Sequence, residues 1–343
     1  MKKTIVISFF ISFILTVAAQ SSIAYSLPKT ELLVELKIEK VTQKPGPFYP
    51  YSERYLATKN IITEAKSSYK LLEISVKTNP VPDFNRTYVV TPSKKSLLSH
   101  VTVNSDGLLC GINVPPTYVE QAEIFSLIPK QEKTEANWLL PLGEEYLMAG
   151  STAKLAEGAA KQIYRIRESR MSILTGDLEH LPADGTSLQT MTNKLDQLES
   201  DLTELFIGKS KTEIVNHQIR FIPETASNNS VLFRLSALKG IVAVEDLTGN
   251  PFYLTVEPEM IKATSDDSKN KKAVSVLNTV LPAITKVSIG NGSQVLYTNQ
   301  FAMPQFGVVV PYADDLLTEI ASKVWVDYQT GRLLNIEKTF PAK

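Results

Sequence analysis

The chain has 343 residues, which at about 150 residues per domain predicts two domains. Lys+Arg and Asp+Glu both number 36, and so even a balance excludes a chain that holds nucleic acid by its phosphates. Apolar residues make up 43% and charged residues 21%, which excludes a disordered or collagen-like polymer. With one cysteine, Cys110, no intrachain disulfide is possible.

Met1-Lys2-Lys3 is a positive start, and Ile5–Ala19 is apolar apart from Ser8, Ser12 and Thr16. Small residues follow as far as Ala24. This is the three-part pattern of a secretory signal, with residues 1–24 removed and a mature start at Tyr25, or else cleavage after Ala19. The apolar run is short for a membrane span, which needs about 20 residues. Cleavage after Ala24 leaves 319 residues, with 34 cationic against 36 acidic side chains. The expectation is an exported protein with no transmembrane segment after cleavage.

Residues 25–149 read as a β-rich domain. Leu32, Val34, Leu36 and Ile38 alternate with polar residues, the period of a half-buried strand. Lys44-Pro45-Gly46-Pro47 breaks it. Phe48–Tyr55 is aromatic-rich, a pattern that packs a short helix onto a sheet. Tyr69–Val76 and Thr87–Val90 are two further strand candidates. Ser105-Asp106-Gly107 reads as a hairpin turn between Ser99–Asn104 and Leu108–Ile112. Cys110 lies in the second of these runs and reads as a buried small hydrophobe.

Residues 150–206 carry two helical patterns. Leu155, Ala159, Ile163, Ile166 and Ile173 recur at helical spacing, and so do Leu188, Met191, Leu195, Leu198, Leu202 and Leu205. Gly176 is a natural C-cap and Pro182 blocks continuation. The first segment is rich in Lys and Arg, the second in Asp and Glu. Two helices folded back as a hairpin are expected, with Leu195, Leu198 and Leu202 against Ala159, Ile163 and Ile166. Arg170 falls in the seam, where a guanidinium needs a carboxylate; Asp177 and Asp184 of the intervening loop are the candidates. Arg165, Arg167, Arg170, Asp177 and Asp184 are therefore the candidate binding residues.

Residues 207–343 return to β, with strands at Glu213–Ile222, Val231–Leu235, Phe252–Val256 and Thr285–Ile289. Asn291-Gly292 and Asp327–Arg332 read as turns of later hairpins, and Asp314–Ile320 as a short helix. Thr264–Lys272 reads as an exposed loop. The fold class expected is α+β: two antiparallel β units, sandwich-like, flanking a long antiparallel helical hairpin.

Lys161–Arg170 with Leu174-Thr175-Gly176-Asp177 and Ala183-Asp184-Gly185, then Phe233-Arg234-Leu235-Ser236 through Asp246–Pro251, then Gln329–Leu333, occur in this order. With Lys44–Pro47, Tyr51 and Arg54 they resemble a family of exported proteins of unknown function from Bacteroidetes, over nearly the whole mature chain. The resemblance implies a Gram-negative cell envelope, periplasmic or outer-membrane-associated. It implies no activity and no catalytic residues.

No chemical constellation stands out. His100, His180 and His217 are far apart, with no His-Glu-x-x-His and no calcium-loop spacing, so no metal is expected. Ser151-Thr152-Ala153-Lys154 matches the Ser-x-x-Lys of penicillin-recognising enzymes. Its context is wrong, and Ser151 reads as an N-cap. No catalytic residue and no cofactor is assigned. The expected function is a non-enzymatic envelope protein that binds a protein partner in an assembly, the tip around Gly176–Gly185 being the contact. The alternative is an envelope glycan-binding module or hydrolase.

Overall fold

The computed structural model describes residues 23–90, 101–115, 150–177, 184–261, 275–313 and 321–339. The expectations for Thr264–Lys272 and Asp314–Ile320 fall outside them. Strand β1 (Ile23–Lys44) is 22 residues long and starts two residues before the expected mature terminus. It pairs antiparallel with β2 (Lys66–Val90) along almost its whole length. The sequence suggested two strands here, Tyr69–Val76 and Thr87–Val90, with Pro80 and Pro82 between them. The strand runs through both prolines because it is an edge strand, where a missing N–H costs the sheet no ladder bond.

The other neighbour of β1 is β5 (Lys209–Phe221), which gives a three-stranded sheet of order β2-β1-β5. A second sheet has order β10-β9-β8-β6-β7, built from β6 (Ser227–Ser236), β7 (Gly240–Val242), β8 (Asn250–Pro258), β9 (Ser275–Gly290) and β10 (Val295–Ala313). A third, β12-β11-β4-β3, joins β3 (Val101–Val103) and β4 (Leu109–Ile112) to β11 (Ala321–Val326) and β12 (Leu333–Thr339). The predicted turns lie where β3–β4, β9–β10 and β11–β12 meet, with Gly107, Gly292 and Gly331 at φ +81°, +85° and +70°. Only glycine takes that backbone without strain.

The expected α+β architecture, two β units flanking a long helical hairpin, is corrected by this arrangement. Among the described residues 55% lie in strands, in three sheets, and 23% in helices. The two β-rich stretches are not separate units, because β1 from the first pairs with β5 from the second from Leu32↔Phe221 to Lys44↔Lys209. Composition at 150–206 pointed to a divider. Long-range strand pairing across it decides the fold class instead.

Three cores lean on β1 and its continuation. Leu32, Val34, Leu36 and Ile38 pack against Phe233, Leu254, Val287 and Met303 of the second sheet. Tyr25 and Leu27 pack against Ile112, Leu277 and Val324 around the third. Just past β1, Phe48 is buried against helices α2 (Thr152–Thr175) and α3 (Gly185–Ile207). The aromatic run therefore seats a short 3₁₀ turn (Tyr49–Tyr51) and α1 (Ser52–Leu56) on helices, not on a sheet. Phe48 and Phe206 have ring centroids 5.5 Å apart. Ala159, Ile163, Ile166 and Leu202 are buried in this core, and Leu195 and Leu198 only partly so. Ser151 caps α2 through the amide of Lys154, and Gly176 ends it at φ +78°.

Between the first two cores, β1 crosses a polar junction at Pro28–Glu31. There β10 leaves its partner: pairing with β9 jumps from Met303↔Ala283 to Val308↔Leu281. Gln305, in that gap, substitutes for a strand. Its Oε1 accepts from the Thr30 N–H at 2.9 Å, and its Nε2 donates to the Thr30 carbonyl at 3.0 Å. Thr30 is 3% exposed. Gln305→Ala leaves both backbone groups unpaired, and an expected loss of about 1–3 kcal/mol in a urea titration follows. A loss below about 0.5 kcal/mol would mean that water replaces the amide.

Candidate functional site

A groove of about 840 Å³ opens where the three-stranded sheet meets the helices. Its floor is the end of the sheet, at Gln43 and Ser210. One wall is the segment 60–66, held by the Ile62 N–H donating to the Ile207 carbonyl at 2.8 Å. The other is the α3 face from Asp196 to Ile207, with Arg167 from α2. Gly208 turns the chain from α3 into β5 at φ +89°, where a Cβ would lie 2.6 Å from the Lys44 carbonyl oxygen.

Charge on the helical wall is locked. Arg167 donates through Nε to Glu199 Oε1 at 2.6 Å. Arg170 donates through Nη1 to Asp196 Oδ1 at 2.6 Å and through Nη2 to Glu199 Oε2. Its hydrogen bond with Asp196 and the charge of Glu199 hold its pKa above the usual arginine value. One carboxylate thus bridges two guanidiniums, the strong form of ion pairing. The expected partners of Arg170, Asp177 and Asp184, are engaged elsewhere. Asp177 accepts from the Thr175 hydroxyl at 2.6 Å. Asp184 caps α3, accepting from the Ser187 N–H at 2.7 Å. The two helices run in opposite directions, so the seam at Arg170 meets Asp196 and Glu199 about three to four turns inside α3, not the loop. Of the five candidates, the structure brings Arg167 and Arg170 to one cluster, Arg167 lining the groove. Arg165 is exposed, and the loop 178–183 between Asp177 and Asp184 lies outside the described residues.

Glu199 is the residue that sequence reasoning passed over. It was legible as one acid among several on the second helix, and its position opposite Arg167 and Arg170 was the missing signal. Glu64 and Lys66 of the facing wall had no signal at all. Among the described residues no three His, Cys, Asp or Glu side chains gather as metal ligands, and no helix is long and apolar enough to cross a membrane. Cys110 is 2% exposed, and burial pushes its thiol up to about 11.

A family profile described as a domain of unknown function, DUF4831, matches residues 21–334. The chain belongs to the DUF4831 family. The match takes in the buried residues of all three cores, the groove and both walls. No curated protein and no solved structure matches the chain.

Two expectations follow for DUF4831 chemistry in this chain. Glu199, 14% exposed, should cost about 1.5–3 kcal/mol on replacement by Ala, because two charged hydrogen bonds go with it. Asp196, 52% exposed, should cost less than about 1 kcal/mol. Chemical unfolding of the two variants checks the order, and equal losses would demote Glu199. Cys110 should resist iodoacetamide at pH 8 in the folded protein and react on unfolding, since only the thiolate is nucleophilic. Labelling of the native protein at the unfolded rate would contradict its burial.

Proposed function

We propose that this DUF4831 protein is exported to a Gram-negative cell envelope, in keeping with the Bacteroidetes-like motifs, and acts there without catalysis by binding another protein. The leader pattern of residues 1–24 supports export. The observation that carries the binding role is the outer edge of β5.

Edge strands expose unpaired N–H and C=O groups, and proteins blunt them with short length, proline, bulges or charge. The other outer strands of this fold are guarded. β2 carries Pro80, Pro82 and two register shifts. β10 carries Pro304, Pro311 and breaks in its pairing. β3 and β7 have three residues each, and β12 has seven. β5 runs 13 residues with no Pro, no Gly and no register shift against β1. Ile214 and Val215, on opposite faces of it, are 65% and 40% exposed.

The occupant is an extended segment of a partner protein that adds a strand to β5, with main-chain hydrogen bonds for affinity and apolar side chains over Ile214 and Val215 for choice. Arg220 is exposed near the far end of the strand, so an acidic residue there suits the partner. This moves the contact from the Gly176–Gly185 tip to the sheet.

The test uses the full exported protein with Ile214 and Val215 both changed to Lys. These exposed positions should change stability by no more than about 0.5 kcal/mol each. In crosslinked pull-downs from native membranes, a partner recovered with the wild type should fall at least tenfold with the variant. Undiminished recovery removes β5 as the docking edge. A wild-type protein that is always recovered alone removes the partner reading.

An envelope glycan in the groove is the second reading, favoured by the hydroxyl, amide and carboxylate lining. It is the weaker one. No aromatic side chain lines the groove among the described residues to stack on a sugar ring, and Asp196 and Glu199 are held by arginines rather than poised as acid and base.

A further inference from the structure

We propose that the leader is removed N-terminal to Ile23, at the Ala19–Gln20 bond, and not at Ala24–Tyr25. This rests on the export reading above and fixes where processing occurs. The evidence is the way the first residues of β1 are built into the fold.

Tyr25 is 1% exposed, and its ring packs in the core shared with the third sheet. Its hydroxyl donates to the Asn278 carbonyl at 3.0 Å and accepts from the Asn278 N–H at 2.8 Å. Next to it the Ser26 N–H donates to the Gly107 carbonyl at 2.9 Å, while β2 pairs on the other side. The strand is thus already central at Tyr25. Upstream, Ala24 pairs with Val89 and Ile23 with Val90, and Ile23 packs against the core that holds Val90 at 1% exposure. The DUF4831 match likewise begins at residue 21.

Cleavage after Ala24 would remove these two ladder residues and uncover Val90. It would also place an α-ammonium on the main chain of Tyr25, whose side chain is packed in the core. A charge set against an apolar core is costly. Cleavage after Ala19 keeps both ladder residues and puts the ammonium on Gln20 rather than on Tyr25. Val17-Ala18-Ala19 offers the small residue that processing needs, directly after the apolar run. In the reaction water adds to the Ala19 carbonyl and the Ala19–Gln20 C–N bond breaks. Ala19 leaves as a carboxylate, and the protons go to the Gln20 nitrogen.

The full chain with its leader is produced in a Gram-negative host, and the exported protein is read by intact mass and by its N-terminal peptide. Ring closure of a terminal glutamine is allowed for in the assignment. A start at Gln20 is expected; a start at Ser21, Ser22 or Ile23 overturns the choice of bond while keeping cleavage ahead of the ladder. A start at Tyr25 in exported protein overturns this inference and leaves the export reading standing. An intact Met1 overturns both. A second variant reads the same point: Ala24→Arg, at an exposed position of the strand, should be processed as the wild type is. If that change blocks cleavage, the bond is at Ala24 and the inference is wrong.

Discussion

One strand organises this molecule. At about 3.3 Å per residue, β1 extends roughly 70 Å, and every core either lies on it or starts where it ends. Its buried apolar side chains are at odd positions near the start, Tyr25 and Leu27, and at even positions later, Leu32 to Ile38. The strand therefore turns opposite sides of its pleat to the two β cores. The switch falls at Pro28–Glu31, and there main-chain and polar groups are met by side chains rather than by a sheet. Gln305 serves Thr30, Asn79 Nδ2 donates to Glu31 at 2.9 Å, and Arg86 donates to the Pro28 and Pro304 carbonyls. A single continuous strand can serve two cores only if this junction is satisfied.

The partner of β1 on its other side arrives from far along the chain. Closing such a loop carries an entropic cost before any contact repays it. The helices shorten that search. They meet through local helical packing and the Arg170–Asp196–Glu199 cluster, and their far end is stitched to the end of β1. The Phe48 N–H donates to the Leu205 carbonyl at 2.8 Å. A Cβ on Gly46 would lie 2.3 Å from the same oxygen, so only glycine fits. Gln43 is then already opposite Ser210. Seen this way, the helical segment is a clip that delivers β5 to β1, and not a divider between two β units.

This explains which parts were legible in the sequence. Local rules worked where local physics decides: Gly107, Gly176, Gly292 and Gly331 mark turns and a cap, and Leu32–Ile38 shows its period of two. The first third of β1 hid its period because Tyr25, Leu27 and Pro28 straddle the switch of faces. β2 looked like two strands because Pro80 and Pro82 forbid a central position, and edge placement is a tertiary fact. The α+β reading failed for the same reason, since the pairing of β1 with β5 has no local signature. At the site, the arginines could be picked out by type, but their acids could not, because the register between two helices is set by packing rather than by the loop that joins them.

The clip also explains how an edge without proline or bulge can persist on a stable protein. Lys209 and Lys211 open β5, and Arg220 nearly closes it. Charges that flank an apolar strand work as gatekeepers against indiscriminate pairing. Lys209 is paired with Glu204 of α3, and Lys211 with Glu213, so the start of the strand is tied back to the protein itself. What is left for another chain is the stretch from Ile214 to Ile219, six residues or about 20 Å. That is long enough for one added strand. An edge bounded in this way discriminates by length as well as by side chain, and it suits recognition of a short extended segment.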